Sequence, residues 1–433
     1  MNKKVAGILT VLVFLLLWTP LLLTPSGKTD IYKPLDGNYE KAARPFLTGR
    51  SWLKGTFQLS MEQYFSDHLP GRDLLIRLYN SFRFECFKYV IADGVTVGKS
   101  DVLYQQIYID ALMGSDLVDQ HSAHQDAERL RIIQDSLLMY NKLLVFIIAP
   151  GKASMYPEFL PDSVGYTGTE VNNYSRYTAA LEKAGCKVLD LKKWLLAEKK
   201  ILQYPVFPKG GTHWSGHIIP LMMDSMRKYI ASNSSFQLPQ FSVSDGDVTT
   251  TQFRFTDNDI GEKLNLLIEP SQWKLTYPVV RFSKPAARKP QLLSIGDSFN
   301  QSFWGFYPFF QQLFGDSTVF WYYNRMVGWP DSLQRRYIDV QSLDYYSEVM
   351  SRDIVFIVST EQNLKSFSFN FVNQFYPYVH YGLQRFGDDR ARVIRNIEND
   401  PTWLESIKTK SATSGIPLPR MVRMDAEWTL FNP

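Results

Sequence analysis

Ser298 stands where an apolar run stops. Leu292-Leu293-Ser294-Ile295-Gly296-Asp297-Ser298-Phe299 reads as a strand running into Gly-Asp-Ser, and Asn300 to Phe314 can follow as a helix. A hydroxyl at that point lies beside backbone N–H groups that have no intrahelical acceptor, which suits the stabilisation of an oxyanion. Gly296 permits a tight turn there. In the competing reading Ser298 or Asp297 only caps the helix. A serine nucleophile needs a base. Of six histidines, His68 lies in a polar break, His121 and His124 in a polar loop, and His380 in an aromatic segment. The other two share the cluster Lys209-Gly210-Gly211-Thr212-His213-Trp214-Ser215-Gly216-His217. A Gly-Gly turn before His-Trp-Ser presents His213 as the candidate base. The alternative is a helix capped by Thr212 or Ser215 with Trp214 packed beneath. His213 and His217 also have metal-ligand spacing. No third ligand accompanies them, so neither metal nor cofactor is expected.

The surrounding chain alternates short apolar runs with helical stretches. The runs are Leu143 to Ala149, Cys186 to Leu191, Gln291 to Gly296, Thr318 to Tyr323 and Asp353 to Ser359. None alternates in polarity, as expected of strands buried on both faces. Helical patterns cover 125 to 140, 170 to 184, 214 to 231, 300 to 314 and 331 to 350. This order predicts an α/β fold, a doubly wound parallel sheet with helices on both faces, with functional residues beyond the carboxyl ends of its strands. Lys152 and Asn324 occupy such ends. Asn324 is a possible second oxyanion donor or a turn residue, and Lys152 a substrate contact or a solvated strand-end lysine. Trp304, Trp321 and Trp329 are candidates to stack on sugar rings or to fill the core.

The N-terminus adds a membrane element. Two lysines precede Val5 to Leu23, nineteen residues without a charge. At ~1.5 Å rise these reach ~29 Å, about the hydrocarbon thickness of a bilayer. The basic flank predicts a single-pass anchor with its N-terminus in the cytoplasm and the body outside. A cleaved signal peptide is the competing reading, although the run ends without a small-x-small site. Cys86 and Cys186 have the option of pairing in that compartment or of staying as buried thiols. With 47 basic and 43 acidic residues among 433, the chain lacks the charge excess of a nucleic-acid binder. The expected organisation is a cytoplasmic stub and anchor (1–27), a linker and helical lead-in (28–100), an α/β domain (101–365) with an insertion at about 232–285, and a helical tail (366–433).

The Gly-Asp-Ser block resembles the nucleophile block of the SGNH (GDSL-type) hydrolases. Its position after the histidine block is similar to the order in the periplasmic alginate O-acetyltransferases of the AlgJ and AlgX type and their relatives. The likeness extends to Glu62 through Arg72, Val95 through Tyr104, Ala149 to Lys152 with Tyr156-Pro157, and Asp353 through Leu364, about residues 60 to 365 in all. The resemblance implies an SGNH-like domain on the outer face of the cytoplasmic membrane. It implies an O-acetyltransferase that moves an acetyl group through an acyl-serine onto hydroxyls of a secreted polysaccharide, with a membrane-bound O-acyltransferase as acetyl supplier. An esterase of the same fold is an alternative. One departure stands out: where the acetyltransferases have Asp two residues before the histidine, this chain has Gly211. Asp190 or Glu361 is then a candidate for the missing acid. A Ser-His dyad is a further option, and so is a non-catalytic polysaccharide-binding or assembly factor.

Overall fold

In the computed structural model, the described residues are 4, 5, 7, 8, 10, 11, 13–15, 18, 32–37, 40–284, 288–330 and 337–432. Ten strands are present among them: β1 (Val95–Val97), β2 (Leu103–Gln105), β3 (Leu143–Ala149), β4 (Val188–Asp190), β5 (Phe241–Thr249), β6 (Leu275–Phe282), β7 (Leu292–Gly296), β8 (Val319–Tyr322), β9 (Met326–Trp329) and β10 (Ile354–Thr360). Six of them form the central sheet in the order β4-β3-β10-β7-β8-β9. The pairs β4/β3, β3/β10, β10/β7 and β7/β8 run parallel.

The expected all-parallel sheet needs one correction. β9 pairs antiparallel with β8 at the edge, so the sheet is mixed. Only Tyr323, Asn324 and Arg325 separate the two strands, and a connection that short can only reverse the chain.

Every residue of β3 is buried, because both faces of the sheet are covered. The period-two alternation of a strand divides them. Leu143, Val145 and Ile147 join one core with Trp214, Phe299 and the helix Ile218–Asn233. Leu144, Phe146 and Ile148 join another with helices Gln120–Leu138, Asn173–Ala184 and Phe371–Tyr381. Each such aliphatic side chain contributes about 1.5–3 kcal/mol on burial.

Several element boundaries differ from the sequence pattern. The helix expected over 300–314 is broken into a 3-10 turn, Ser298–Gln301, and short helices Ser302–Gly305 and Phe309–Leu313. Pro308, which cannot donate a backbone N–H, precedes the last of these. The helix expected from 214 starts at Ile218, because His213 to His217 are held in turns. The linker contains helices Gly49–Leu53 and Thr56–Asp67. Of the helix expected over 331–350, residues 331–336 lie outside the described residues and Tyr345–Met350 is helical. Residues 232–285 carry the antiparallel hairpin β5/β6. The predicted span at 5–23 lies mostly outside the described residues, among which no helix is long and apolar enough to cross a membrane. Cys86 and Cys186 are both free thiols.

Candidate active site

β7 ends at Gly296, and Ser298 opens the 3-10 turn that follows. Both capping and presentation of a serine occur here, divided between neighbours. Asp297 is the cap, accepting the Phe299 N–H at 2.9 Å, while the Ser298 hydroxyl is left for other work. The other Asp297 oxygen accepts from Thr360 Oγ1 and Asn363 Nδ2, each at 2.6 Å. Burial pushes the Asp297 carboxyl above its ordinary value, against the pull of these hydrogen bonds. Gly296 is needed for space. A Cβ there would lie 2.6 Å from the Val358 carbonyl oxygen, and the Gly296 φ is not positive.

His213 and Ser298 meet across the carboxyl end of the sheet. His213 Nε2 lies 2.8 Å from Ser298 Oγ. The imidazole packs on Phe299, ring centroids 4.8 Å apart, and Trp214 packs on the same phenyl ring. His213 Nδ1 lies 2.9 Å from Asp259 Oδ2, and Asp259 Oδ1 accepts the Thr212 N–H at 2.7 Å. Asp259 comes from the insertion between β5 and β6. The three side chains form a continuous hydrogen-bonded chain of carboxylate, imidazole and hydroxyl, the geometry that serine acyl transfer requires.

The docking of the Asp259 loop explains Gly211. Ile260 and Gly261 both donate backbone N–H groups to the Gly210 carbonyl, at 3.0 and 2.9 Å. A Cβ on Gly211 would stand 2.5 Å from Pro208 Cγ, 3.0 Å from the Thr256 carbonyl oxygen and 3.1 Å from that of Asp257. The space a side chain would need at 211 is filled by the loop that delivers the acid. Asp257 secures the same loop, accepting from the Tyr277 hydroxyl at 2.8 Å and the Gly216 N–H at 3.2 Å. Burial pushes its carboxyl up to about 7.

The other sequence candidates lie elsewhere. Asp190 does not reach His213; its carboxylate caps the helix Leu191–Glu198 and accepts the Tyr174 hydroxyl. Glu361 has both oxygens committed, one to Lys192 and the other to the Gly151 N–H and Ser154. Lys152 is buried and donates to the carbonyls of Lys209 and Gly211 at 2.8 and 2.9 Å. Burial holds its ammonium well below the usual lysine range. It thus anchors the histidine loop from beneath. Asn324 is no oxyanion donor, since its amide nitrogen bonds the Phe369 carbonyl and Gln374 while its oxygen accepts from Tyr345. Trp321 is fully buried, and Trp304 and Trp329 pack on the core around Phe310. His217 bonds Ser215 through Nδ1, and burial lowers its imidazole to about 4. Among the described residues no cluster has the makings of a metal site.

The protein-family model described as "SGNH hydrolase-like domain, acetyltransferase AlgX" matches residues 95–217. Over those residues the chain is similar to the SGNH hydrolase-like domain of AlgX-type acetyltransferases. A probable alginate O-acetylase AlgJ of Pseudomonas syringae pv. tomato is 28% identical over 181 residues. That alignment covers 41% of this chain and 42% of the relative, so the chain spans less than half the length of the curated protein it matches. Among solved structures, the O-acetyltransferase domain of Pseudomonas putida AlgJ is 17% identical with a TM-score of 0.42, covering 66% of this chain and 98% of that one. Pseudomonas aeruginosa AlgX is 13% identical with a TM-score of 0.41, covering 64% and 67%.

The segment matched to the AlgX-type domain contains His213 but ends before both Asp259 and Ser298. Sequence reasoning missed Asp259 because no fixed spacing joins it to the histidine. The available signal was composite. A Thr256-Asp257-Asn258-Asp259 turn in the insertion offers carboxylates, and a Gly-Gly pair before the histidine leaves room for a visiting loop.

Proposed function

We propose that this chain is a cell-envelope O-acetyltransferase. It takes an acetyl group onto Ser298 and passes it to hydroxyls of a secreted polysaccharide. The observation that carries the proposal is the continuous hydrogen-bonded chain Asp259–His213–Ser298. The alginate O-acetylase named among the relatives supports the choice of acetyl group and glycan. A complete charge chain argues against a non-catalytic scaffold, the reading that Gly211 had motivated.

The chemistry runs in two displacements. His213, held by Asp259 with its proton on Nδ1, accepts the Ser298 proton at Nε2 as Oγ attacks the donor ester carbonyl. The Ser298 N–H, first in the 3-10 turn and without an intrahelical acceptor, faces the developing oxyanion. Collapse expels the donor alcohol, which takes the proton back from His213 and leaves acetyl-Ser298. A sugar hydroxyl then gives its proton to His213 and attacks the acyl carbon, and collapse frees Ser298 with its proton restored. The Asp259 carboxylate stabilises each imidazolium without being protonated.

The body is proposed to work outside the cytoplasm, tethered by the span at 5–23, with a membrane-bound O-acyltransferase delivering the acetyl group. The test is labelling with a fluorophosphonate followed by acetyl transfer to polysaccharide in vitro. The wild type is expected to be labelled at Ser298 and to acetylate glycan, whereas Ser298→Ala and His213→Ala do neither. Transfer retained in both variants would sink the assignment, and acetate release without glycan acetylation would favour the esterase.

A further inference from the structure

The helix Arg72–Phe87 packs one face on the body and leaves the opposite face apolar and exposed. Toward the body, Arg77 donates to the carbonyls of Leu266 and Pro34, and Asn80 to that of Leu264. Phe84 is buried there with Leu103, Ile260 and Leu264. Positions 73, 77, 80 and 84 mark this inner stripe at helical spacing. At ~3.6 residues per turn, Leu78, Tyr79, Phe82 and Cys86 fall on the other side of the helix. All four are exposed. Large apolar side chains gathered on one exposed face mark a contact surface rather than a solvated one.

The upstream chain limits how far this face can lie from a bilayer. Tyr32 is pinned to the start of the same helix. Its N–H donates to Asp73 at 2.7 Å, and the Arg77 guanidinium lies 5.7 Å from its ring centroid. Only residues 24–31 separate Tyr32 from the predicted span at 5–23. The steps from Leu23 to Tyr32 reach at most ~32 Å when fully extended. The first turn of the helix therefore stays within about that distance of the membrane face. Residues just downstream carry the side chains that favour such an interface. Phe46 and Leu53 are 90% and 87% exposed, and Trp52 stands exposed between Arg50 and Lys54. Residues 41–91 contain eight Lys and Arg against four Asp and Glu, whereas the whole chain is nearly balanced. Amphipathic aromatics at the water boundary, apolar side chains beneath them and basic residues facing anionic headgroups are what a bilayer surface selects.

We propose that the outer face of helix Arg72–Phe87, with the exposed residues of 46–53, is a lipid-docking surface. It lies in the outer interface of the membrane that the span crosses and holds the body against the bilayer. The proposal rests on the anchor reading above. Its test uses the full chain reconstituted into vesicles of phosphatidylcholine and phosphatidylglycerol. Cys186→Ala leaves Cys86 as the one thiol. An environment-sensitive fluorophore on Cys86 then reports lipid contact through quenching by lipids brominated in their acyl chains. An interfacial helix sits roughly 5–10 Å into the headgroup–acyl boundary, so the label is expected to lose about half of its emission. The same label on Ala412→Cys, with both native cysteines replaced by alanine, should lose none, because residue 412 is exposed on a helix belonging to a separate core. Phe82→Glu puts a carboxylate in the middle of the face and should restore the Cys86 emission at an unchanged melting temperature. A chain that floats with the vesicles while its Cys86 label is not quenched overturns the docking surface alone. A blue-shifted label without quenching assigns the face to a second copy, and equal quenching at 412 removes its specificity; either overturns the proposal. A chain that does not float overturns the anchor and the docking surface with it.

Discussion

Asp259→Asn isolates what the visiting acid does. The substitution keeps volume and leaves the 257–261 loop free to hold Gly210 through the Ile260 and Gly261 N–H groups. It replaces the carboxylate 2.9 Å from His213 Nδ1 with an amide. With the Asn oxygen kept on the Thr212 N–H, its NH2 group faces Nδ1 and favours the tautomer whose proton sits on Nε2. His213 then cannot accept the Ser298 proton. In the serine protease template the equivalent loss is about 10⁴ in kcat, or roughly 5.4 kcal/mol of barrier at 1.36 kcal/mol per decade. The assay is single-turnover acetylation of Ser298 by an activated acetyl ester, followed by mass spectrometry, with thermal unfolding as the check on folding. A second variant makes the test sharper. Gly211→Asp/Asp259→Asn restores a carboxylate two residues before the histidine, where the acetyltransferases have theirs. It should not rescue, because a Cβ at 211 stands 2.5 Å from Pro208 Cγ and 3.0 Å from the Thr256 carbonyl oxygen. Overpacking of this kind costs about 1–3 kcal/mol and displaces the loop. A folded Asp259→Asn enzyme that keeps more than a tenth of wild-type acylation would refute the assignment of the acid, and rescue by the double variant would refute the steric account of Gly211.

Three further outcomes are expected. The Asp257 carboxyl, raised to about 7 by burial, carries stability that is present below about 3.8 and lost as pH rises toward 7. Asp257→Asn removes this loss, so its stability relative to wild type, read from denaturation, should rise between pH 5 and pH 8 by at most roughly 2.7 kcal/mol, about two pH units at 1.36 kcal/mol each; a constant difference across that range contradicts the argument. Lys152→Met leaves the Gly211 carbonyl buried without its donor, at about 1–3 kcal/mol, and the Lys209 carbonyl with only the Leu103 N–H, and should lower both the denaturation midpoint and the rate of Ser298 acylation; an acylation rate equal to wild type would show that the histidine loop holds itself. Lys192→Met strands the buried Glu361 carboxylate, whose side chain is 6% exposed, and should cost about 3–5 kcal/mol in urea denaturation. A loss below 1 kcal/mol would mean that solvent reaches the pair.

Serine, histidine and the carboxyl ends of the five parallel strands were legible in the sequence for physical reasons. An apolar run buried on both faces leaves a continuous signature, so β3, β7 and β10 stand out, and with them the strand ends that bear Gly151, Ser298 and Glu361. A Gly-Gly turn before His-Trp marks a presented histidine in the same local way. β9 escaped notice because its four residues give too short a pattern to separate from a turn. For Lys152 and Asn324 the alternatives stay open in the sequence because a strand-end position does not reveal whether a polar side chain faces a ligand or its own backbone.

Sequence by itself determined an α/β chain with a serine at a strand end, a histidine after a Gly-Gly turn and a glycine where the acetyltransferases it resembles have an acid. Only the tertiary structure decided what replaces that acid, since a hydrogen bond between residues 213 and 259 depends on how a hairpin insertion folds back, and no local spacing encodes it. The same holds for the β8–β9 turn and the segment after β10, where Asn324 and Phe369, 45 residues apart in the chain, are joined by a hydrogen bond.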